Sequence, residues 1–201
     1  MSVNAVRNGD AAPAVGEHPR RIAGGLTPDE FKGAFRNHPA GVAVVTADAG
    51  AGPVGLTATS VFSVSTEPPL LVFSVSELSS SRPTILMADT LVVHLVGSTQ
   101  LHLAQLCATS GIDRFADTTL WGRLDSGEPY FPSASVWIRG RVVDRLDAGT
   151  STLIVVHALE TQAPVAGSDA ASAAESQPLV YHNRAWHALG ENSLIPPTEG
   201  H

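Results

Sequence analysis

The sequence predicts a mainly β protein: a closed or nearly closed barrel of strands with short α-helices inserted between them. Three observations carry that expectation. Runs of Val, Ile, Thr and Phe with partial period-two alternation recur along most of the chain, and helix signals are few and short. A doubly wound sheet would need a helix after nearly every strand, and the chain does not supply them. At 201 residues it suits one domain with a core of its own.

The elements follow in order. Residues 1–25 contain no apolar run of the kind a secretory signal needs and are expected to be a disordered tail, leaving 26–190 as the domain. In LTPDEFKGAFRNHP, Thr27 stands as N-cap, Pro28 as the first helical residue and Glu30 at the third, a capping box opening a helix over about 28–37. Pro39 and Gly41 stop it, and the β-branched GVAVVTA is the first strand. Gly50, Gly52 and Gly55 then fall in the spacing G-x-G-x-x-G. A dinucleotide-binding loop needs a helix at once, to receive the pyrophosphate; here Pro53 intervenes and LTATSVFSVS continues as strand, so the glycines mark a hairpin turn.

Beyond the following strand, SELSSSRPTILMADT predicts a short helix, with Pro83 in its first turn, Ser81 or Arg82 near its cap and its end near Ala88. LVVHLVG is a strand and STQLHLAQLCA a helix from near Ser98. Residues 90–112 lack Asp, Glu, Lys and Arg, but Gln100, Gln105, two His and a Gly-Ser break make strand-then-helix the better reading than a membrane span. A turn-rich connection over 111–132 leads to three late strands, SASVWIRGRVVDRL, STLIVVHALE and PLVYHNRAWHAL. Between the last two, the Ala/Ser-rich 161–177 is expected to be a mobile loop, and 191–201 a flexible tail.

Several functions lose their usual signals. A net charge of −7 argues against a nucleic-acid surface, which needs clustered Lys and Arg. The single cysteine, Cys107, excludes an internal disulfide and fits a reducing cytoplasm; on a helix it reads as a buried apolar group. No metal site is expected. The eight His are scattered, and His182 and His187, five apart on one strand, should face opposite sides. No nucleophile elbow, Walker loop or zinc-type cysteine pair appears.

What remains is VGLTATSVFSVSTEPPLLVFSVS, residues 54–76, whose only charge is Glu67. On a continuous strand Thr57, Thr59, Ser63 and Ser65 share one face and Leu56, Ala58, Phe62 and Val64 the other. Two readings stand level on pattern alone. One is a half-exposed sheet strand, where Thr is common; the other is a lining for a flat, hydrogen-bonding ligand, favoured because a solvent-facing strand ordinarily recruits charge. SSSRPT, residues 79–84, is by itself a capping cluster, with anion binding by hydroxyls, Arg82 and helix-start amides as the alternative.

FRNHPAGVAVVTA, GLTATSVFSVSTEPPLLVFSVS, SSSRPT, SGIDRF and PLVYHNRAWHAL occur in the order found in flavin reductase domains of the FMN-binding split-barrel class. From about Phe31 to Leu189 the chain resembles the short-chain reductase component of a two-component flavin monooxygenase. The resemblance implies a Greek-key split β-barrel, a homodimer with FMN or FAD at the subunit interface, and NADH or NADPH as co-substrate. It also implies an oxygenase partner that takes the reduced flavin. Carried onto this sequence, Thr57, Ala58, Thr59 and Ser60, with Ser63 and Ser65, would lie along the isoalloxazine. The phosphate would sit at Ser79, Ser80, Ser81, Arg82 and Thr84, and Arg114 and Phe115 near the flavin edge. Two positions depart from the family. Thr59 stands where an Asn is usual, and Gly149-Thr150-Ser151 stand where the family has Gly-Asp-His beside the nicotinamide. Hydride transfer from nicotinamide C4 to flavin N5 needs no catalytic side chain. The alternatives are a flavin-binding barrel without nicotinamide-dependent reduction, motivated by the missing imidazole, and a flavin-free barrel used for dimerisation.

Overall fold

The computed structural model describes residues 24–163 and 177–196; residues 1–23 of the expected tail at 1–25, most of the Ala/Ser-rich segment and residues 197–201 lie outside the described residues. α1 (Pro28–Phe35) carries the expected capping box: the Glu30 N–H donates to Thr27 Oγ1 at 3.3 Å and the Thr27 N–H to the Glu30 carboxylate at 2.8 Å. No α1 residue is buried. The first strand divides into β1 (Ala40–Gly41) and β2 (Ala43–Asp48), because the Val42 N–H leaves the sheet to bond the Leu179 carbonyl. β3 (Pro53–Ala58) returns antiparallel to β2. Between them Gly50 and Gly52 adopt φ of 95° and 111° and donate to the Asp48 carboxylate, so the glycine-rich segment is the expected hairpin turn.

The remaining elements are β4 (Phe62–Thr66), β5 (Pro69–Ser76), α2 (Arg82–Met87), β6 (Thr90–Leu95) and α3 (Leu101–Ala108). After these come β7 (Gly122–Arg123), β8 (Pro129–Tyr130), β9 (Val136–Ala148), β10 (Ser151–Gln162), β11 (Leu179–His182) and β12 (Ala185–Ala188). Seven form one antiparallel sheet in the order β3-β2-β6-β9-β10-β5-β4. β3 and β4 are consecutive in the chain yet stand at opposite ends of that order, so residues 59–61 join the two edges of the curled sheet. The junction is hydrogen-bonded: the Ser74 N–H and Ser74 Oγ, on β5, both reach Ser60 Oγ at 3.0 Å. Residues 54–65 are therefore two strands broken at a corner, and the expected continuous strand is corrected. Within β4 a register shift between Ser63 and Ser65 sets them opposite Leu71 and Leu70, so these two hydroxyls do not share a face.

Ala43, Val45, Phe73, Val93, Ile154 and Val156 fill the barrel, with Ile85 of α2 closing it. A second core lies outside, where Val44 meets Leu103 and Cys107 of α3 together with Phe115 and Phe131. β2 is thus buried on both faces, which explains why, Thr46 apart, its buried residues are all apolar. Gly140 of β9 permits a close approach to β10: a Cβ there would lie 2.3 Å from Val156 Cγ1 and 2.9 Å from the His157 carbonyl oxygen. Gly140→Ala is expected to destabilise the fold by about 3 kcal/mol in denaturant titration.

The segment 178–189 is a hairpin rather than one strand. Asn183 and Arg184 adopt φ of 47° and 64°, the paired left-handed conformation of a two-residue turn between β11 and β12. The His182 and His187 rings consequently approach to 5.5 Å between centroids, which overturns the expectation that they face apart.

His94 of β6 is fully buried between the cores. Its Nε2 accepts the Phe131 N–H at 3.0 Å, so Nδ1 carries the proton and donates to the Val44 carbonyl at 2.9 Å. Burial pushes its pKa down to about 4, against the Val44 carbonyl, which favours the proton. The unfolded chain takes up this proton near pH 6.5, so the stability held by neutral His94 is complete above that pH. It is lost as pH falls from 6.5 to 4, about 3 kcal/mol in all. Denaturation midpoints across that window are expected to fall, and His94→Gln to flatten the fall.

Candidate functional site

The start of α2 and the end of α3 stand side by side over the outer face of β3, enclosing a cleft of about 310 Å³. Its lining includes Thr57, Ser79, Ser80, Ser110, Gly111 and Arg114. Gly55 allows α3 to pack this closely: a Cβ there would lie 3.1 Å from Cys107 Sγ. Arg114 is fixed by four bonds. Its Nε and Nη2 donate to the Thr109 carbonyl at the end of α3, at 3.2 and 2.8 Å, and Nη1 donates to Ser80 Oγ at 3.4 Å and Ser81 Oγ at 3.1 Å. It is the only charged side chain in the lining, and a guanidinium held in place among hydroxyls is a seat for an oxyanion. Burial pushes the Cys107 thiol up to about 12, with the Arg114 charge opposing, so Cys107 is a packing group, as the sequence suggested.

The structure gathers some of the expected site residues here and separates others. Thr57 borders the cleft, but its hydroxyl is engaged, donating to the Ala104 carbonyl of α3 at 2.6 Å. Ala58 points into the barrel core. Thr59 and Ser60 open onto a larger neighbouring groove of about 790 Å³, walled by Phe31, Phe35, Phe62 and Tyr181. Ser63 and Ser65 lie on the edge strand β4 and border neither space; Ser65 Oγ accepts the Glu67 N–H. Ser79 and Ser80 form the cleft wall, while Ser81 is 1% exposed and sits behind them.

Arg82 turns away from the cleft. Its Nη2 donates to Thr152 Oγ1 at 3.1 Å and its Nε is buried with no partner among the described residues. Thr84 lies within α2 and does not reach the cleft. Ser81 stands at the N-cap of α2, as expected, but its hydroxyl makes no cap bond, so the helix start is not held by a hydroxyl cap. Phe115 is buried, its ring 5.7 Å from that of Phe131, and supports the wall from inside. Gly149, at φ 66°, turns the chain between β9 and β10; the Thr150 carbonyl accepts the Glu77 N–H at 2.9 Å and Ser151 pairs with Ser76. The turn at 149–151 thus abuts the loop that forms the cleft wall.

Three further residues enter the arrangement. Ser110 and Gly111 line the cleft and belong to the SGIDRF segment whose Arg114 was singled out; Ser74 joins Ser60 and belongs to a second S-V-S run, 74–76, matching the one at 63–65. Among the described residues no group of three or more His, Cys, Asp or Glu could hold a metal ion, and no helix is long and apolar enough to cross a membrane.

Residues 35–190 match the model of the flavin reductase like domain. An NADH:FMN oxidoreductase of Rhodococcus erythropolis is 43% identical over 166 residues, which cover 83% of this chain and 84% of the relative. An NADH:riboflavin 5'-phosphate oxidoreductase of Streptomyces pristinaespiralis is 34% identical over 85% of this chain and 92% of its own. The crystal structure of a flavin reductase domain protein from Arthrobacter sp. FB24 superposes with a TM-score of 0.74 at 29% identity, over 86% of this chain and 99% of that one. The chain belongs to the flavin reductase-like domain family, and its architecture is the split barrel of that class.

Proposed function

We propose that this protein is an NAD(P)H-dependent flavin reductase that supplies reduced FMN or FAD to a partner oxygenase. Relatives point the same way: a Rhodococcus opacus protein, 27% identical over 84% of this chain, is the reductase component of a 4-nitrophenol monooxygenase. The observation that carries the reading is Arg114, clamped to the end of α3 and facing hydroxyls in a cleft with no carboxylate. That donor set fits a phosphate. Arg114 and Ser80 would hold it, and Thr59 and Ser60 at the corner would meet the polar edge of the ring. Bound flavin supplies the redox chemistry itself, taking the hydride that NADH or NADPH gives up, so no side-chain nucleophile is required. The protein's part is to hold two substrates in register, worth about 7 kcal/mol or more of barrier in well-oriented systems.

The turn at Gly149-Thr150-Ser151 stands beside the cleft wall, where the nicotinamide would approach. It offers a hydroxyl from Thr150 or Ser151 and no imidazole. That substitution is the one observation favouring the second reading, a flavin-binding barrel that nicotinamide does not reduce. Anaerobic mixing of the purified protein with FMN and either NADH or NADPH decides between them. Rapid bleaching of the flavin's visible absorbance is expected with at least one donor; unchanged absorbance with both would leave only the second reading.

The working unit is a homodimer of the domain at 26–190, in the cytoplasm, where the single buried cysteine is at home. Support for the dimer comes from the side of β4, β5 and β10 opposite the barrel core. Phe62, Val72 and Val155 are paired across these strands, and Leu153 pairs with Leu146 of β9. Phe62 and Leu146 are 56% and 59% exposed, positions where a solvent-facing sheet would carry charge. The double substitution Phe62→Glu, Leu146→Glu is expected to convert a species of twice the chain mass into one of single mass in sedimentation analysis.

A further inference from the structure

The three consecutive serines at the cleft resemble one another chemically, yet the fold gives them different work. Ser80 is exposed on the wall, and its Oγ meets Arg114 Nη1 at 3.4 Å. Ser81 is buried to 1% exposure and is absent from the lining. Its hydroxyl donates to the Gly55 carbonyl of β3 at 2.8 Å and accepts Arg114 Nη1 at 3.1 Å. With its one proton committed to Gly55, Ser81 Oγ can serve the guanidinium only as an acceptor. It has no donor left for a ligand oxyanion. A phosphate oxygen finds no free donor on the Ser81 hydroxyl, and the Ser81 N–H already donates to Ser79 Oγ at 3.3 Å.

We infer that Ser81 is a positioning residue and not a phosphate ligand: it ties the Arg114 guanidinium to the backbone of β3, so that Arg114 meets the flavin phosphate already oriented. The inference rests on the flavin reading proposed above. The Thr109 carbonyl holds Nε and Nη2, and Ser81 holds Nη1, so the guanidinium is fixed at both ends between α3 and the barrel wall. Of the five guanidinium N–H donors, these four bonds leave one on Nη2 for an incoming ligand. A side chain so constrained loses little rotamer freedom on binding, and removing the Ser81 hydroxyl restores that freedom and with it the entropic penalty.

The test is a double-mutant cycle read by equilibrium titration of FMN and of riboflavin, which lacks the phosphate. Ser81→Ala is expected to weaken FMN binding about ten-fold and riboflavin binding less than about two-fold. In an Arg114→Ala background the same substitution is expected to have no further effect on FMN, because the group it positions is gone. Ser80→Ala provides the contrast: as a direct contact it should weaken FMN in both backgrounds. Ser81→Cys, near in size but a weak hydrogen-bonding group, should reproduce the Ser81→Ala result if the alanine variant does not fold. An equal loss of FMN affinity from Ser81→Ala with and without Arg114 would overturn the inference, as would an equal loss for riboflavin. Failure of the unaltered protein to bind either flavin would remove the flavin reading itself and the inference with it.

Discussion

Arg114→Ala is expected to weaken FMN binding about a hundred-fold and to leave riboflavin binding within about two-fold of the unaltered protein. The magnitude follows from the cleft. Arg114 is the only charged group lining it, and charge-assisted bonds to a phosphate are about twice as strong as neutral ones. Among the described residues no other cation lines the cleft: Arg82, which follows the cleft serines in the chain, is turned toward Thr152 behind α2. Arg114→Lys should recover only part of the loss, because an ammonium cannot bond the Thr109 carbonyl through two nitrogens while also reaching Ser80. Fluorescence titration with the two flavins measures both effects. The riboflavin arm separates loss of the phosphate seat from collapse of the site.

Glu128→Ala is expected to have the largest effect on stability, about 3 to 5 kcal/mol, by leaving a charge without its partner in a mostly buried position. The Glu128 side chain, 6% exposed, accepts Arg139 Nε at 2.9 Å from β9 and also bonds Ser126. It pins the β7–β8 connection to the barrel beside Thr46, whose hydroxyl bonds the Pro129 carbonyl. Burial alone would raise the Glu128 pKa; hydrogen bonds from Arg139, Ser126 and Thr90 outweigh it and hold the carboxyl down at about 2. The unfolded carboxyl titrates near 4.5, so this stability is present above that pH and is lost as pH falls from 4.5 to 2. With His94 acting over 6.5 to 4, the fold should weaken in two overlapping stages on acidification. Urea titrations at stepped pH, with Glu128→Ala losing the lower stage and His94→Gln the upper, check the assignment.

Local features of the fold are legible in the sequence. The capping box at Thr27, the glycine hairpin after Asp48 and the alternation of strand and short helix all appear in the structure, because each depends on residues a few positions apart. Pairing was not legible. Nothing within residues 54–65 reveals that β3 and β4 occupy opposite edges of the sheet, since that depends on strands nearly a hundred residues away. The turn at Asn183-Arg184 is not legible in the sequence because Arg is an unusual occupant of a left-handed position, so the hairpin reads as one strand. At the site, residue types were legible and their directions were not. The sequence places Arg82 in the phosphate seat and Arg114 near the flavin edge; in the structure Thr152 draws Arg82 away and Thr109 holds Arg114 at the cleft. Likewise the abundant hydroxyls of Thr57, Ser60 and Ser81 are engaged in joining strands and helices to one another. The uncharged, alcohol-rich stretch therefore serves two purposes, closing the barrel at its corner and leaving Thr59 and Ser80 at the surface of the two adjoining spaces.

The most direct test is a crystal structure of the protein grown with FMN. The phosphate is expected within hydrogen-bond distance of Arg114 and Ser80, with the ring extending toward Thr59 and Ser60 at the corner between β3 and β4. Density for the phosphate at any other place on the protein, with the cleft between α2 and α3 holding only solvent, would contradict the assignment.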